Sequence, residues 1–251
     1  TCRECGKKVP IEYMVWSYGT ICSNCGKEFI VWDVAREERK TPRESKIRTS
    51  FNCPHCSILL QKRLLKRTKL YPVLIGYKCC GSRQKEATAK PGQADLKKLE
   101  WIGENGVPRG LWHPTDKLQN GVNTRQPIVH GLDSVDKFYT TRALWAISRL
   151  WNIAKHWPER ELKMKLLFAL TSLYKRVTIL SEFRFWGGSG NVANYNVPMI
   201  INEQNVFKTF RRKAKTISDY FKTTNNRLGQ DFCISTQSAT SLWQVPNNSI
   251  D

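Results

Sequence analysis

Four pairs of cysteines fall within the first eighty residues, and their spacing constrains this chain more than any other feature. Cys2 and Cys5, then Cys22 and Cys25, form two Cys-x-x-Cys pairs separated by sixteen residues. Gly6 and Gly26 follow the second cysteine of each pair, which lets the backbone turn beneath the sulfurs without a Cβ clash. Four thiolates in a tetrahedral array suit zinc, and a closed set of four leaves no open position for catalysis. Residues 11–18 between the pairs (Ile-Glu-Tyr-Met-Val-Trp-Ser-Tyr) are rich in strand formers. The expectation is a zinc ribbon over residues 1–34 with Cys2, Cys5, Cys22 and Cys25 as ligands. Two disulfides are the competing reading, disfavoured by the metal-like spacing.

A second set follows. Residues 35–50 are polar and charged and read as a basic linker. Cys53 and Cys56 then open another pair, and the adjacent Cys79 and Cys80 close it after a strand-like run at 71–77. Residues 51–82 therefore read as a second zinc-ribbon-like unit with Cys53, Cys56, Cys79 and Cys80 as ligands. His55 is a further available donor. Adjacent cysteines share a metal only with an awkward backbone, so a degenerate ribbon that folds without zinc competes here. Eight of the nine cysteines lie before residue 81, which points to local metal sites rather than a disulfide scaffold, and to a reducing cytoplasm.

Charge supplies the next constraint. The chain carries 41 Lys or Arg against 21 Asp or Glu, a formal net of +20 over 251 residues. Residues 36–90 alone hold fifteen basic and four acidic side chains, including Lys62 and Arg63. Clustered charge of this sign implies a polyanionic partner, nucleic acid rather than a membrane surface, with a solvated basic surface as the competing reading. No apolar run of about 18 residues or signal peptide is visible, so no membrane partner is expected. Tyr71 and Tyr77 are available to stack on bases, with the core as their ordinary place. The chain opens on Thr1 and Cys2 and stops at Asp251, so both ends read as cut from a longer protein.

Residues 83–137 read as an irregular connector, 82–98 being a polar linker and 101–137 rich in Trp, Pro and Gly. Residues 138–227 read as helical. Thr140 or Thr141 can cap a first helix with Leu144, Ile147, Leu150, Trp151 and Ala154 on one face. Pro158 starts a second, with a stripe of Leu162, Leu166, Leu170, Leu173, Val177 and Leu180, and the short joint predicts a hairpin. A third begins near Asn202 or Glu203 and is expected to bury Phe207, Phe210, Ala214, Ile217 and Phe221. Seven Lys or Arg against one Asp over 208–227 make it either a phosphate-contacting element or a solvated outer face. The glycines at 187–190 lack the spacing of a dinucleotide fingerprint. Residues 231–234 read as a short buried strand, with Cys233 as a packed thiol.

Three stretches resemble one family, the large prokaryotic S-adenosylmethionine-dependent DNA-modification methylases that act on an exocyclic base amine. The first runs from residues 109–116 (Arg-Gly-Leu-Trp-His-Pro-Thr-Asp) to 138–142 (Phe-Tyr-Thr-Thr-Arg) and Leu144. The second joins 190–198, ending Tyr-Asn-Val-Pro, to Glu203-Gln-Asn-Val206 and Phe210-Arg-Arg-Lys213. The third spans 238–251. The resemblance implies that the chain is the central segment of such an enzyme. The glycine-rich cofactor motif would precede Thr1 and the Asp-Pro-Pro-aromatic catalytic motif would follow Asp251. It implies zinc here and S-adenosylmethionine in the intact enzyme, no catalytic residue in this segment, and no methyl transfer by it alone. The target base would be flipped from its stack for reaction. Arg142, Arg211, Arg212 and Lys213, with Lys62 and Arg63, are the candidate DNA contacts.

The expected architecture is thus α+β: two small β-rich zinc ribbons, a connector and a helical DNA-recognition region. Residues 228–251 would begin a Rossmann-like α/β catalytic domain. A stand-alone zinc-ribbon nucleic-acid-binding protein is the alternative, and an interaction module with an acidic partner is a second. The scattered histidines His55, His113, His130 and His156 give an enzymatic reading of the segment itself little to stand on.

Overall fold

The computed structural model describes residues 2, 5–78, 86–187 and 195–224. One compact unit spans Thr1–Ala214 and a second spans Lys215–Asp251, of which residues 215–224 are described. The expected strand at 231–234 and the thiol of Cys233 lie outside the described residues, as does the expected start of a catalytic domain at 228–251.

The first unit is mixed α and β. Its main sheet is antiparallel and centred on β1 (Ile11–Ile21), an eleven-residue strand buried continuously from Met14 to Thr20. Its composition explains this, since β-branched and aromatic side chains fit a pleated surface covered on both faces. β7 (Arg67–Lys78) takes one edge of β1 along its length, from Ile11 opposite Tyr77 to Thr20 opposite Arg67. The other edge is divided. β2 (Glu28–Ile30) pairs with Gly19, Thr20 and Ile21, and β9 (Ile200–Gln204) pairs with the stretch from Tyr13 to Ser17. β8 (Glu86–Ala89) extends the sheet beyond β7. Two short hairpins stand outside it: β3 (Arg36–Glu37) with β4 (Lys46–Ile47), and β5 (Ser50–Asn52) with β6 (Leu59–Gln61).

The short helix α1 (Val31–Ala35) is locked to β1 by the buried Ser17, whose hydroxyl accepts from the Trp32 N–H at 3.0 Å and donates to the Tyr18 carbonyl at 3.1 Å. Trp32 then anchors an aromatic group with Phe183 and Phe185, ring centres 5.3 and 6.5 Å away. Tyr77 is core, while Tyr71 is half-buried beneath the Lys69 ammonium and donates to Glu28.

Two features of residues 83–137 departed from the expected connector. β8 is one, and α2 (Gln93–Asn105) is the other. α2 buries none of its residues fully, and its apolar side is short: Leu96, Leu99 and Ile102, of which Leu99 packs against the main core. Its start is fixed instead by the Asp95 carboxylate, which accepts from the Gly92 N–H at 2.9 Å. Trp101 of α2 meets Trp145 at 5.4 Å, and Trp112 meets Trp151 at 4.9 Å. A short helix, α3 (Arg125–Val129), completes this stretch.

The helical region holds a second core. α4 (Thr141–Lys155) is capped by the Thr140 hydroxyl, which accepts from the Ala143 N–H at 3.2 Å. α4 packs on α5 (Arg160–Thr171) as the expected hairpin. The expected second helix is broken, however, and resumes only as α6 (Tyr174–Val177). The Thr171 and Ser172 hydroxyls donate back to the Phe168 and Ala169 carbonyls at 2.8 and 2.7 Å, competing with the helical ladder at the break. Leu170, Leu173, Val177, Ala143, Ala154 and Val206 share the resulting core.

α7 (Val206–Thr224) starts later than expected, because β-branched Ile200 and Ile201 join the sheet as β9 first. Its expected buried face is only partly buried: Phe210 packs on the second core, while Phe207 is 53% exposed and Phe221 39% exposed.

Gly76 shows how closely β1 and β7 approach. A Cβ there would lie 2.1 Å from the Tyr13 ring of the facing strand. Gly76→Ala is expected to cost about 1–3 kcal/mol, as overpacking of a filled site does. The denaturant midpoint should recover when Tyr13→Leu is added, because the smaller side chain vacates the contact.

Candidate metal centre and basic surface

The turns at 22–27 and 53–58 are built alike. In the first, the Cys22 N–H donates to the Lys27 carbonyl and the Gly26 N–H to the Cys22 carbonyl, both at 3.0 Å. In the second, Cys53 N–H donates to the Ile58 carbonyl at 2.8 Å and Ser57 N–H to the Cys53 carbonyl at 3.0 Å. The residue after the second cysteine is left-handed in both, with φ +69° at Gly26 and +59° at Ser57. One turn joins β1 to β2 and the other joins β5 to β6. Phe29 and Phe51 pack edge to face between these hairpins, 6.3 Å centre to centre.

This packing brings Cys22, Cys25, Cys53 and Cys56 together, with all four sulfurs within 4.8 Å of one another. Cys22 Sγ is 3.7 Å from Cys56 Sγ, and Cys25 Sγ is 3.8 Å from Cys53 Sγ. Tetrahedral zinc with Zn–S bonds of about 2.3 Å places its sulfurs about 3.8 Å apart. The cluster could therefore hold one metal ion, and its geometry is compatible with zinc. Four thiolates close the coordination sphere, so an ion here would tie two hairpins together without activating water. The sulfurs also receive N–H bonds, from His55 N to Cys53 at 3.4 Å and from Asn24 Nδ2 to Cys56 at 3.6 Å.

The thiols are electrostatically opposed. The backbone N–H of Ile58 and the Asn24 amide hold Cys56 down at about 6. Backbone N–H groups of Cys25 and Asn24 lower Cys22. Cys25 is also lowered by a backbone N–H, that of Lys27, yet burial and its thiol neighbours push it up to about 11. Four sulfurs this close cannot all ionise unless a cation balances them, which is the condition metal binding satisfies.

The pairing corrects the sequence expectation. Cys2 and Cys5 do not join Cys22 and Cys25; the latter meet Cys53 and Cys56 of the expected second ribbon. The reason is the length of β1: eleven extended residues span roughly 36 Å at about 3.3 Å each, and the two turns flank opposite ends of it. The turn at 2–7 has the same backbone bonds as the other two, Cys2 N–H to the Lys7 carbonyl at 2.8 Å and Gly6 N–H to the Cys2 carbonyl at 3.0 Å. Cys2 is buried and Cys5 is disulfide-bonded. Cys79 and Cys80 lie outside the described residues. His55 is not a member of the cluster; its Nε2 lies 3.3 Å from the Glu28 carbonyl.

The candidate DNA contacts divide. Arg142 is committed elsewhere: its guanidinium pairs with Glu203, a carboxylate only 1% exposed, with Nε to Oε1 at 2.8 Å. Thr140 donates to the other oxygen of the same carboxylate. Arg211 and Arg212 are exposed on α7 and Lys213 is half-buried. Lys62 is half-buried and Arg63 exposed on a single 3-10 turn, the Arg63 Nε donating to Gln61 at 3.2 Å. Near the start of α7, Lys208 pairs with Glu12, yet burial and then the Arg212 charge hold it below the ordinary lysine range. Sequence reasoning missed the Arg142–Glu203 pair, because nothing in either stretch signals that the two meet.

Two measurements follow. Cys22→Ser and Cys53→Ser should each release the same bound ion, whereas Cys2→Ser should leave it; metal content per chain reads the difference, and loss with Cys2→Ser but not Cys53→Ser would restore the sequence pairing. Arg142→Ala should cost about 3 kcal/mol in denaturant unfolding, since it strands a buried carboxylate. Glu203→Gln, which removes that charge, should soften the loss when added to it.

No family model matches the chain, and neither a curated protein nor a solved structure matches it.

Proposed function

We propose that this chain is the DNA-recognition segment of an S-adenosylmethionine-dependent DNA methyltransferase acting on a base amine, with zinc as the ion at Cys22, Cys25, Cys53 and Cys56. The observation that carries the reading is the meeting of two stretches on which the family resemblance rests. Residues 138–142 supply Thr140 and Arg142, and Glu203 accepts from both. Two residues further on, the Asn205 amide donates to the Ile11 carbonyl at 2.8 Å, and its side-chain oxygen accepts from the Lys208 N–H at 3.0 Å at the start of α7. The short motifs thus have one physical task, to join β1, β9, α4 and α7.

The basic helix fits the role assigned to it. Arg211 and Arg212 face solvent, where a phosphate could meet them. The clustered thiolates would hold the two hairpins together, so that the basic residues flanking them, Lys62 and Arg63 among them, meet DNA at a lower entropic cost. Under this reading a Rossmann-like catalytic part begins at 228–251, and S-adenosylmethionine binds elsewhere in the intact enzyme. No helix among the described residues is long and apolar enough to cross a membrane.

Duplex DNA binding across a salt series tests the proposal. Binding should fall steeply with salt, and Arg211→Ala and Arg212→Ala should each reduce the logarithmic slope by about one. Chelation should weaken binding by loosening the two hairpins. Affinity that is indifferent to salt would remove DNA as the partner.

A further inference from the structure

Between α2 and the strand pair of β1 and β7 lies a cavity of about 650 Å³, in the size range of small-molecule sites. Its lining is graded. Met14, Ile75 and Tyr77 are buried and form the inner surface, with Met14 opposite Ile75 in the strand register. Val9, Ile11, Leu99 and Ile102 are half-buried and line it further out. Lys8 and Lys98 are exposed, so their part of the lining meets solvent. The cavity follows from how α2 is held. Its start is fixed by the bond from the Gly92 N–H to Asp95, and its last turns by Trp101 against Trp145 of α4. Neither contact presses the helix onto the sheet, and none of its residues is fully buried.

The charged groups of the lining differ in what they have left to bind. Arg142 is paired with Glu203. Asp95 is the one carboxylate in the lining; it is engaged by the Gly92 N–H and is not within ion-pair distance of Lys98, one turn further along α2. Lys8 and Lys98 pair with no carboxylate among the described residues. An aliphatic interior beside two uncommitted ammonium groups matches one class of ligand, an alkyl chain with a single anionic head. The chain gains by leaving water, and the head stays at the wet end with the lysines. A DNA backbone would meet the lysines alone, because it carries no alkyl chain for Met14 and Ile75.

We infer that this cavity binds an anionic amphiphile, an alkyl carboxylate with its chain along Met14, Ile75 and Leu99 and its head at Lys8 and Lys98. The inference uses no part of the DNA reading, so either can fail without the other.

The test is calorimetric titration of the full 251-residue chain with decanoate, kept below its micelle concentration. Decanoate should bind saturably, one molecule per chain. Octanoate should bind about tenfold more weakly, the scale of two methylenes returned to water. Decanol should bind more weakly than decanoate, and decyltrimethylammonium should not bind. Replacing both lysines, Lys8→Met with Lys98→Met, should weaken decanoate about tenfold and bring it level with decanol. Ile102→Trp should abolish binding by projecting a larger side chain into the cavity. Ala94→Trp, from an exposed position of the same lining, should do so without touching a packed residue. Metal content and unfolding midpoint verify that the variants fold. Decanoate bound equally well by the folded tryptophan variants would place it elsewhere on the basic surface and overturn the site. Decanol or decyltrimethylammonium bound as tightly as decanoate would overturn the anionic ligand. Absence of saturable decanoate binding would overturn the inference outright.

Discussion

β1 is the strand on which the rest of the first unit depends. Both of its edges are used, one by β7 along its length and the other shared by β2 and β9. Both of its faces are covered as well, and Met14, Val15, Ser17 and Thr20 are almost wholly inaccessible. That covering explains Gly76, the one residue small enough to lie under the Tyr13 ring, and Ser17, a polar group tolerated because its hydroxyl both accepts and donates. β1 also sets the metal centre. By ending at Ile21 it delivers Cys22 to the side of the sheet where the β5–β6 hairpin presents Cys53.

This dependence also separates what was legible in the sequence from what was not. Knuckle turns could be read from Cys-x-x-Cys and a following glycine, since those are local backbone requirements. Which knuckles meet is a tertiary fact. Nearest pairs in sequence were the natural choice, yet the extended length of residues 11–21 already argued against it, because a continuous strand carries its two ends far apart. The same distinction holds in the helices. α4 was readable from its Thr140 cap and apolar stripe, and the α4–α5 hairpin from its short joint. The break after Thr171 was not, because two hydroxyls turning back on their own helix leave no mark in the apolar periodicity. α2 was missed for the opposite reason: it is held by its Gly92–Asp95 start and a Trp101–Trp145 contact, not by a buried stripe.

A cluster of thiols suits a chain of this charge. At a net +20, self-repulsion opposes compaction, and much of that charge lies on residues 36–90, which include the β5–β6 hairpin. The two hairpins that meet there are not themselves basic, since residues 50–61 hold no Lys or Arg and residues 11–30 hold Lys27 against Glu12 and Glu28, so the basic side chains are those that flank them. Four thiolates around a dication would contribute a net negative charge at the joint, which would offset some of the repulsion among those flanking cations as well as fix geometry. The ion pairs around Glu37 act in the same sense, the Arg39 hydrogen bond first and then the nearby lysine and arginine charges keeping its carboxyl below the usual range.

Motif residues in such a chain need not be the ones that touch the partner. Arg142 looked like a contact from sequence because it is basic and sits in a family-like stretch. The structure commits it to Glu203, and Asn205 beside it to the backbone of β1 and the start of α7. A guanidinium held on a buried carboxylate has little capacity left for phosphate, since leaving would strand that carboxylate. Under the reading proposed above, contacts with a polyanion would then come from cations without such an obligation, and these lie between or beside the motifs: Arg63 on the 3-10 turn after the thiolate cluster, Arg43 on the turn that the Ser45 hydroxyl closes and Arg211 on α7. Scaffold and contact are divided between different residues. Substitutions in the motifs should therefore act through stability, and substitutions among the solvated arginines through electrostatics, even where the two sets are neighbours along the chain.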